Sequence, residues 1–169
     1  VLQGPGCLNY ALILPIESGG PLQSIASANR YIMQRNAQAL EAALAIHSQP
    51  ETRNPKPETI LVRGHTDLVM GDRKFSGNAQ RRRKAFLLFH GTFLLRFDLA
   101  WIEMLLPLPA RQPTYRRGRS HGEFLCNLEL PAERVKQALR RAWGATGSPA
   151  IVPRETISSR ARDKYATAE

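Results

Sequence analysis

The sequence is poor in the residues that mark several kinds of protein. It has two cysteines, Cys7 and Cys126, in 169 residues. They lie far apart and in no metal-ligand spacing, which argues against a disulfide scaffold or a cysteine-bound metal. Both read as reduced thiols of a cytoplasmic protein. No apolar run approaches 18 residues, so no transmembrane helix is expected. No basic–apolar–small-residue segment reads as a signal peptide, and there is no internal repeat. Acidic residues are scarce: 14 Asp and Glu stand against 24 Lys and Arg, for a formal charge of +10 and a pI near 10.4. Such a balance points to an anionic partner, whether nucleic acid, an acidic protein or phosphate. The nucleic-acid reading rests on charge and two arginine clusters alone. No RNP-like aromatic motif, zinc-finger spacing or helix-turn-helix accompanies them.

What is present is enough for one domain or most of one. Hydrophobic residues make up 43% of the chain, sufficient for a globular core. Gly4-Pro5-Gly6 sets a turn. Leu8, Tyr10, Leu12 and Leu14 then alternate with Asn9, Ala11 and Ile13, so both faces of this strand are mostly apolar, as in a central, covered strand. Asn9 is its polar exception, either bonded to backbone at a strand edge or lining a pocket. Ser24 caps a helix expected to run to about Ser48, with a core stripe of Ile25, Ala28, Ile32, Ala39, Ala43 and Ile46, broadened by Tyr31 and Met33. The stretch 49–58, with three prolines, reads as an exposed connection. Thr59 to Arg63 is a short strand.

The informative stretch is Gly64 to Leu95. Lys74, Ser76, Asn78 and Gln80 alternate with Phe75, Gly77 and Ala79, which puts the four polar residues on one face of a strand. A solvated face would read alike. Gly77, however, weakens the strand and marks a close approach by a ligand or backbone. Arg81 to Lys84 read as a turn, either solvated or a docking patch. The apolar run Ala85 to Leu95 follows, interrupted by His90-Gly91-Thr92. His65 and Asp67 read on their own as turn residues.

Further on, Asp98 to Leu105 is a short amphipathic helix. Pro107, Pro109 and Pro113 break regular structure through Gly118. The basic run Tyr115-Arg116-Arg117-Gly118-Arg119 fits a nucleic-acid contact as well as a loop over a phosphate ligand. Ser120 and Glu123 form a capping box. Pro131 to Trp143 is a helix with Val135, Ala138, Leu139 and Ala142 on one face and Gly144 as terminator. Cys126 falls in a helical pattern and reads as core. Ala150 to Val152 suggest a last strand, and Thr156 to Ala168 a polar helix.

Asp67-Leu68, then the run Gly71 to Gln80 (GDRKFSGNAQ), then His90 to Leu95 (HGTFLL) together resemble the lipoate–protein ligases, within the wider group of lipoate and biotin protein ligases and octanoyltransferases. The similarity extends from Val1 to about Gly144. It implies an α+β fold, a mixed, largely antiparallel sheet with packed helices. It also implies an activity: ATP activates lipoate or octanoate as an acyl-adenylate, and the acyl group passes to a lysine of a lipoyl domain. In that reading Lys74 is catalytic and touches both the acyl carbonyl and phosphate. Asp67, Ser76, Gly77, Asn78, Gly4, Asn9 and His90 line the substrate and nucleotide pocket. ATP and Mg2+ are implied, with no metal-ligand cluster in the chain itself. The acceptor would be the acidic lipoyl domain of a 2-oxoacid dehydrogenase or a glycine-cleavage H-type protein. The basic run after Pro113 would correspond to an adenylate-covering loop.

Residues 1–169 read as a single catalytic domain lacking its beginning. The family's Arg-Arg-x-Ser-Gly-Gly-Gly loop is not in this sequence, so a preceding segment or a second chain is expected to complete the pocket. No C-terminal accessory domain is evident. The transferase branch of the group needs a cysteine nucleophile. Residues 64–68 contain none just before the lysine strand, where that branch carries it, which leaves only Cys7 as a candidate. A non-catalytic relative is the third reading.

Overall fold

A computed structural model describes residues 2–47, 59–148 and 151–165. Five strands, β1 (Cys7–Pro15), β2 (Ile60–Arg63), β3 (Asp67–Met70), β4 (Arg73–Arg83) and β5 (Phe86–Leu94), form one sheet in the order β1-β5-β4-β3-β2. Every pairing between them is antiparallel. A lone parallel bridge, Lys74 to Leu125, adds the mixed character. The helices are α1 (Ile25–His47), α2 (Ala100–Leu105), α3 (His121–Phe124), α4 (Ala132–Ala142) and α5 (Arg154–Tyr165), with a single 3-10 turn at Thr114–Arg116. This is the expected α+β architecture. Among the described residues no helix is long and apolar enough to cross a membrane.

The sheet has two unlike faces. On one, α1 and α4 bury Phe75, Leu87, Phe89 and Phe93 against Ile32, Met33, Leu40 and Val135. The other is open along rows of paired residues. Asn9, Thr92, Gly77 and Asp67 form one row across four strands. Ala11, His90 and Ala79 form the next, and Ile13, Leu88 and Arg81 the one beyond. A second cluster, Phe97, Ile102, Phe124 and Leu125, with Leu2, Leu94, Leu106 and Tyr115 against it, rises over one end of the open face.

Several expectations change. β1 is an edge strand with Asn9, Ala11 and Ile13 exposed, not a strand covered on both faces; only its Leu8, Tyr10, Leu12 and Leu14 pack on the core. In α1, Ser24 caps as expected, its Oγ accepting from Ser27 N at 3.0 Å. The buried stripe, however, is Ala28, Ile32, Met33, Asn36, Ala37, Leu40 and Ala43, while Ile25 and Ile46 are exposed. Arg81 to Arg83 continue β4, and the turn shrinks to Lys84-Ala85. Cys126 is buried, but it lies in extended chain beyond α3. Its Sγ donates to the Arg73 carbonyl at 3.4 Å. The capping box at Ser120–Glu123 is present. Ile151 and Val152 form no strand; Ala150, Ser48, residues 49–58 and Ala168 lie outside the described residues.

Asn36 shows why a polar residue belongs in that stripe. It is fully buried. Its Nδ2 donates to Tyr10 Oη at 2.9 Å, and its Oδ1 accepts from Trp143 Nε1 at 2.8 Å, tying α1 to β1 and α4. Asn36→Leu strands the indole N–H, and a buried unpaired donor costs about 1–3 kcal/mol. We expect a lower urea midpoint at unchanged slope, the slope reporting the area exposed on unfolding.

Candidate functional site

The site is shaped by one irregularity in β4. Val69 pairs with Lys74 and Leu68 with Ser76, so Phe75 is an extra residue between them. A bulge of this kind puts two successive residues on the same side. Phe75 and Ser76 both turn into the helix-side core, 0% and 2% exposed. Lys74 is thereby released to the open face. The strict alternation read from the sequence, with Lys74, Ser76, Asn78 and Gln80 on one face, does not hold. Gln80 Nε2 donates to Ile25 O at 3.0 Å and to Asn29 Oδ1. Asn78 Oδ1 accepts from Tyr10 Oη at 2.7 Å. Both reach towards the helices, away from Lys74.

Lys74 lies across Gly77. A Cβ at Gly77 would stand 2.9 Å from Lys74 Nζ and 3.1 Å from its Cε. The close approach foreseen at this glycine is therefore made by the lysine side chain itself. Nζ is fixed by Asp67 Oδ1 at 2.7 Å, the two side chains 26% and 15% exposed. The other carboxylate oxygen, Oδ2, accepts from Tyr115 Oη at 2.7 Å. Burial, then the hydrogen bond to Asp67 and its charge, push the Tyr115 phenol well above its ordinary range, against the opposing pull of Arg119 and Arg116. Tyr115 is therefore a permanent donor, and Asp67 is held at both oxygens.

A second glycine is explained by Asn78. A Cβ at Gly91 would collide with the Asn78 side-chain amide, which crosses over it to reach Tyr10. The same amide donates to Thr66 O at 2.8 Å and Ser76 Oγ at 3.2 Å, while Thr66 Oγ1 donates to Asn78 O at 2.6 Å. The turn bearing His65 and Thr66 is thus locked onto β4, which fixes the start of β3 and Asp67. Tyr10 stacks on Phe93 with ring centroids 4.9 Å apart, and burial pushes its phenol well above the ordinary range.

These residues border a cavity of about 560 Å³. Asp67, Lys74, Ser76, Gly77, Asn78 and His90 line it, joined by Thr92, Arg116 and His121, with Leu2, Leu94, Ile102, Leu106, Phe124 and Leu125 as apolar walls. Two expected residues are not in the lining. Gly4 forms the turn before β1 and would meet the Phe97 ring at 3.1 Å if it bore a Cβ. Asn9 supports the floor: its Oδ1 accepts from Thr92 Oγ1 at 2.6 Å and its Nδ2 donates to Gln3 Oε1 at 3.0 Å. His65 is exposed in its turn. Tyr115 went unassigned in the sequence because its bond to Asp67 joins residues 48 apart; Arg116 and His121 have nearer partners, Arg119 O and Pro107 O, and only the fold brings them to the cavity. The basic run was the one available signal. Neither cysteine is among the described lining residues, and those residues hold no group of three or more His, Cys, Asp or Glu suited to a metal.

A sheet with helices on one face and a polar-floored, apolar-walled cavity on the other defines a lipoate/biotin protein ligase-like catalytic domain. The chain belongs to the lipoyl protein ligase A/B catalytic domain family, whose model matches residues 1–143. It is similar to a lipoate-protein ligase A solved with ATP (23% identity, TM-score 0.64, 97% of this chain and 64% of that one). It is also similar to a Thermoplasma acidophilum protein with bound lipoic acid (22%, 0.63, 97% and 63%). A third is the bi-partite lipoate protein ligase of the same organism, described with its E2 lipoyl domain (19%, 0.60, 98% and 63%). The chain thus spans less than two thirds of these structures' length, and the likeness is one of fold. No curated protein sequence matches it.

The crossing of Asn78 over Gly91 yields a test. Gly91→Ala overpacks this point and is expected to cost about 1–3 kcal/mol. In an Asn78→Ala background the added cost should shrink, giving a clear coupling in a denaturation double-mutant cycle, but not vanish, because the Cβ would still stand 2.9 Å from Gly77 O. Additive costs would mean that the amide does not set the glycine requirement.

Proposed function

We propose that this domain activates lipoate or octanoate with MgATP as an acyl-adenylate and transfers the acyl group to a lysine of a lipoyl domain. The observation that carries this reading is Lys74, held by Asp67 across Gly77 on the floor of a cavity with apolar walls. Family membership supports it. So do the ATP and lipoic acid named for structures of the same fold.

An ammonium has three donors. One goes to Asp67, which leaves two for ligand oxygens. In the first half-reaction the acid's carboxylate oxygen bonds to the α-phosphorus and pyrophosphate leaves. In the second, the acceptor amine bonds to the carbonyl carbon and AMP leaves with the oxygen, while the amine gives up its proton. Charge builds on the carbonyl oxygen and then on the departing phosphate, and Lys74 is positioned to meet both. A charge-assisted hydrogen bond is worth roughly 1.5–3 kcal/mol net. Ser76, Gly77, Asn78 and His90 shape the pocket in this reading, and Gly4 and Asn9 act through the turn and floor they stabilise. Each Asp67 oxygen keeps acceptor capacity beyond its one bond; in this reading magnesium enters with ATP as the MgATP substrate. The fatty chain would lie against Leu94, Ile102 and Leu106.

The acceptor is proposed to be an acidic lipoyl domain, from a 2-oxoacid dehydrogenase or a glycine-cleavage H-type protein; an E2 lipoyl domain accompanies one related structure. Arg81 and Arg83, exposed beside Ile13 and Phe86 on the open sheet face, offer it a basic, apolar surface. A preceding segment or second chain is proposed to complete the pocket, with the whole working in the cytoplasm. Transfer from octanoyl–acyl carrier protein through a thioester is the weaker reading, since neither cysteine is among the lining residues.

The test is intact-mass analysis of a lipoyl domain incubated with the full gene product, lipoic acid and MgATP. A parallel sample carries octanoyl–acyl carrier protein instead. A lipoyl mass gain that requires ATP is expected; a gain from the carrier protein alone would refute the ligase reading. Lys74→Ala should slow transfer by about 10²–10³ without loss of fold. Gly77→Ala, which displaces the lysine, should lower the rate more than the melting temperature.

A further inference from the structure

We propose that Arg116 is the residue within the basic loop that binds phosphate in the cavity. The proposal rests on the ligase reading for its choice of phosphate, but its geometry is independent of that reading. Arg116 is 4% exposed and lines the same cavity as Lys74. Its Nε donates to Arg119 O at 2.9 Å, and its guanidinium lies 4.7 Å from the Phe124 ring centroid. Its Nη2 is buried and, among the described residues, has no hydrogen-bond partner. No carboxylate is paired with it; the ion pairs of the described residues are Lys74–Asp67, Arg96–Glu129, Arg119–Asp72 and Lys136–Glu133.

A guanidinium stays charged at any working pH, and a buried charge with an unused donor is unfavourable until an anion arrives. The ring beneath it offsets only part of that cost. The group is also kept from turning outward. Arg119 Nη1 pairs with Asp72 at 2.9 Å, and Arg119 Nε donates back to Arg116 O at 3.0 Å. Arg117 and Gly118, both at positive φ, close the turn. The preceding residue, Tyr115, is bonded to Asp67. One anchored turn therefore holds Asp67 for Lys74 and presents Arg116 to the cavity.

The charged residues in the lining are Asp67, Lys74 and Arg116. With Asp67 and Lys74 paired, the cavity is left one positive charge in excess. Phosphate and carboxylate both match a guanidinium fork. The acid loses its charge when activated, whereas the nucleotide phosphates remain anionic through both half-reactions. A fixed cation serves the group whose charge persists.

Calorimetric titration with inorganic pyrophosphate, and separately with octanoate, tests this on wild type, Arg116→Met and Arg116→Lys. Methionine keeps an apolar stem on Phe124, and lysine keeps the charge without the fork. Pyrophosphate affinity should fall at least about tenfold in Arg116→Met and by less in Arg116→Lys, with octanoate affinity within about twofold of wild type. The ligand-free Met variant should melt no lower than wild type, because replacing a buried unpaired charge with an apolar group is neutral or stabilising; a purely structural arginine would lower it. Unchanged pyrophosphate binding in Arg116→Met, no pyrophosphate binding by wild type, or a loss confined to octanoate would each overturn the proposal. If pyrophosphate binding depends on Arg116 but wild type modifies no lipoyl domain, the ligase reading fails and the anion site stands.

Discussion

The arrangement of this molecule depends on one extra residue in a strand. Without the bulge at Phe75, β4 would keep its period, and Lys74 would point into the helix-side core with Ser76 and Asn78. The bulge turns Phe75 into that core and sends the lysine over Gly77 to the face where the cavity opens. A buried aromatic and a half-buried ammonium are thereby sent to opposite faces from adjacent positions. The bulge also sits where the chain from Leu125 pairs with Lys74: Cys126 N donates to Lys74 O at 3.0 Å, and Arg73 holds Leu125 O from its side chain. Leu125 and Phe124 thus wall the cavity because β4 is irregular at this point.

Two polar relays meet at the cavity from opposite sides of the sheet. On the helix side a chain runs from Trp143 through Asn36, Tyr10 and Asn78 to the Thr66 carbonyl. On the open side it runs from Arg119 in the loop, beside Tyr115, through Asp67 to Lys74. The first holds the turn that leads into β3, and Asp67 is the first residue of that strand. Each link is short and mostly buried, where a fully satisfied network confers rigidity and a broken one is costly. The lysine is accordingly positioned by contacts that reach as far as α4, and its geometry is sensitive to residues remote from any ligand.

What the sequence made legible follows from how local each signal was. The Asp67, Gly71–Gln80 and His90–Leu95 pieces lie within one run of paired strands, and the family resemblance they carry implied the fold and pointed to Lys74. Ser24 and the Ser120–Glu123 box are contacts within one turn of helix, and both hold. The periodic reading of β4 failed because a bulge leaves no mark in polarity. Phe75 is an unremarkable alternating residue until its partner strand is known. The covered-strand reading of β1 failed for a related cause: Ala11 and Ile13 are apolar, yet a strand's position in the sheet is not written in its own residues. Asn36 and Tyr115 were hidden because each is defined by partners brought in from afar, and Arg116 because the cavity it faces is assembled from distant segments.

The basic composition is accounted for in part by the structure. Arginine here is often a strut between backbone segments. Arg82 donates to the carbonyls of Leu22 and Gln23, Arg73 to Leu125, and Arg35 to Ala142. A guanidinium suits this work because its planar fork reaches two acceptors at fixed geometry and is weakly hydrated for a cation. Arg35 and Arg73 do this while remaining exposed. Much of the basic charge is displayed, on Arg30, Arg63, Arg96 and Arg134 among others; what sets the site apart is that Lys74 and Arg116 face the cavity while Arg81 and Arg83 stand exposed on the open sheet face.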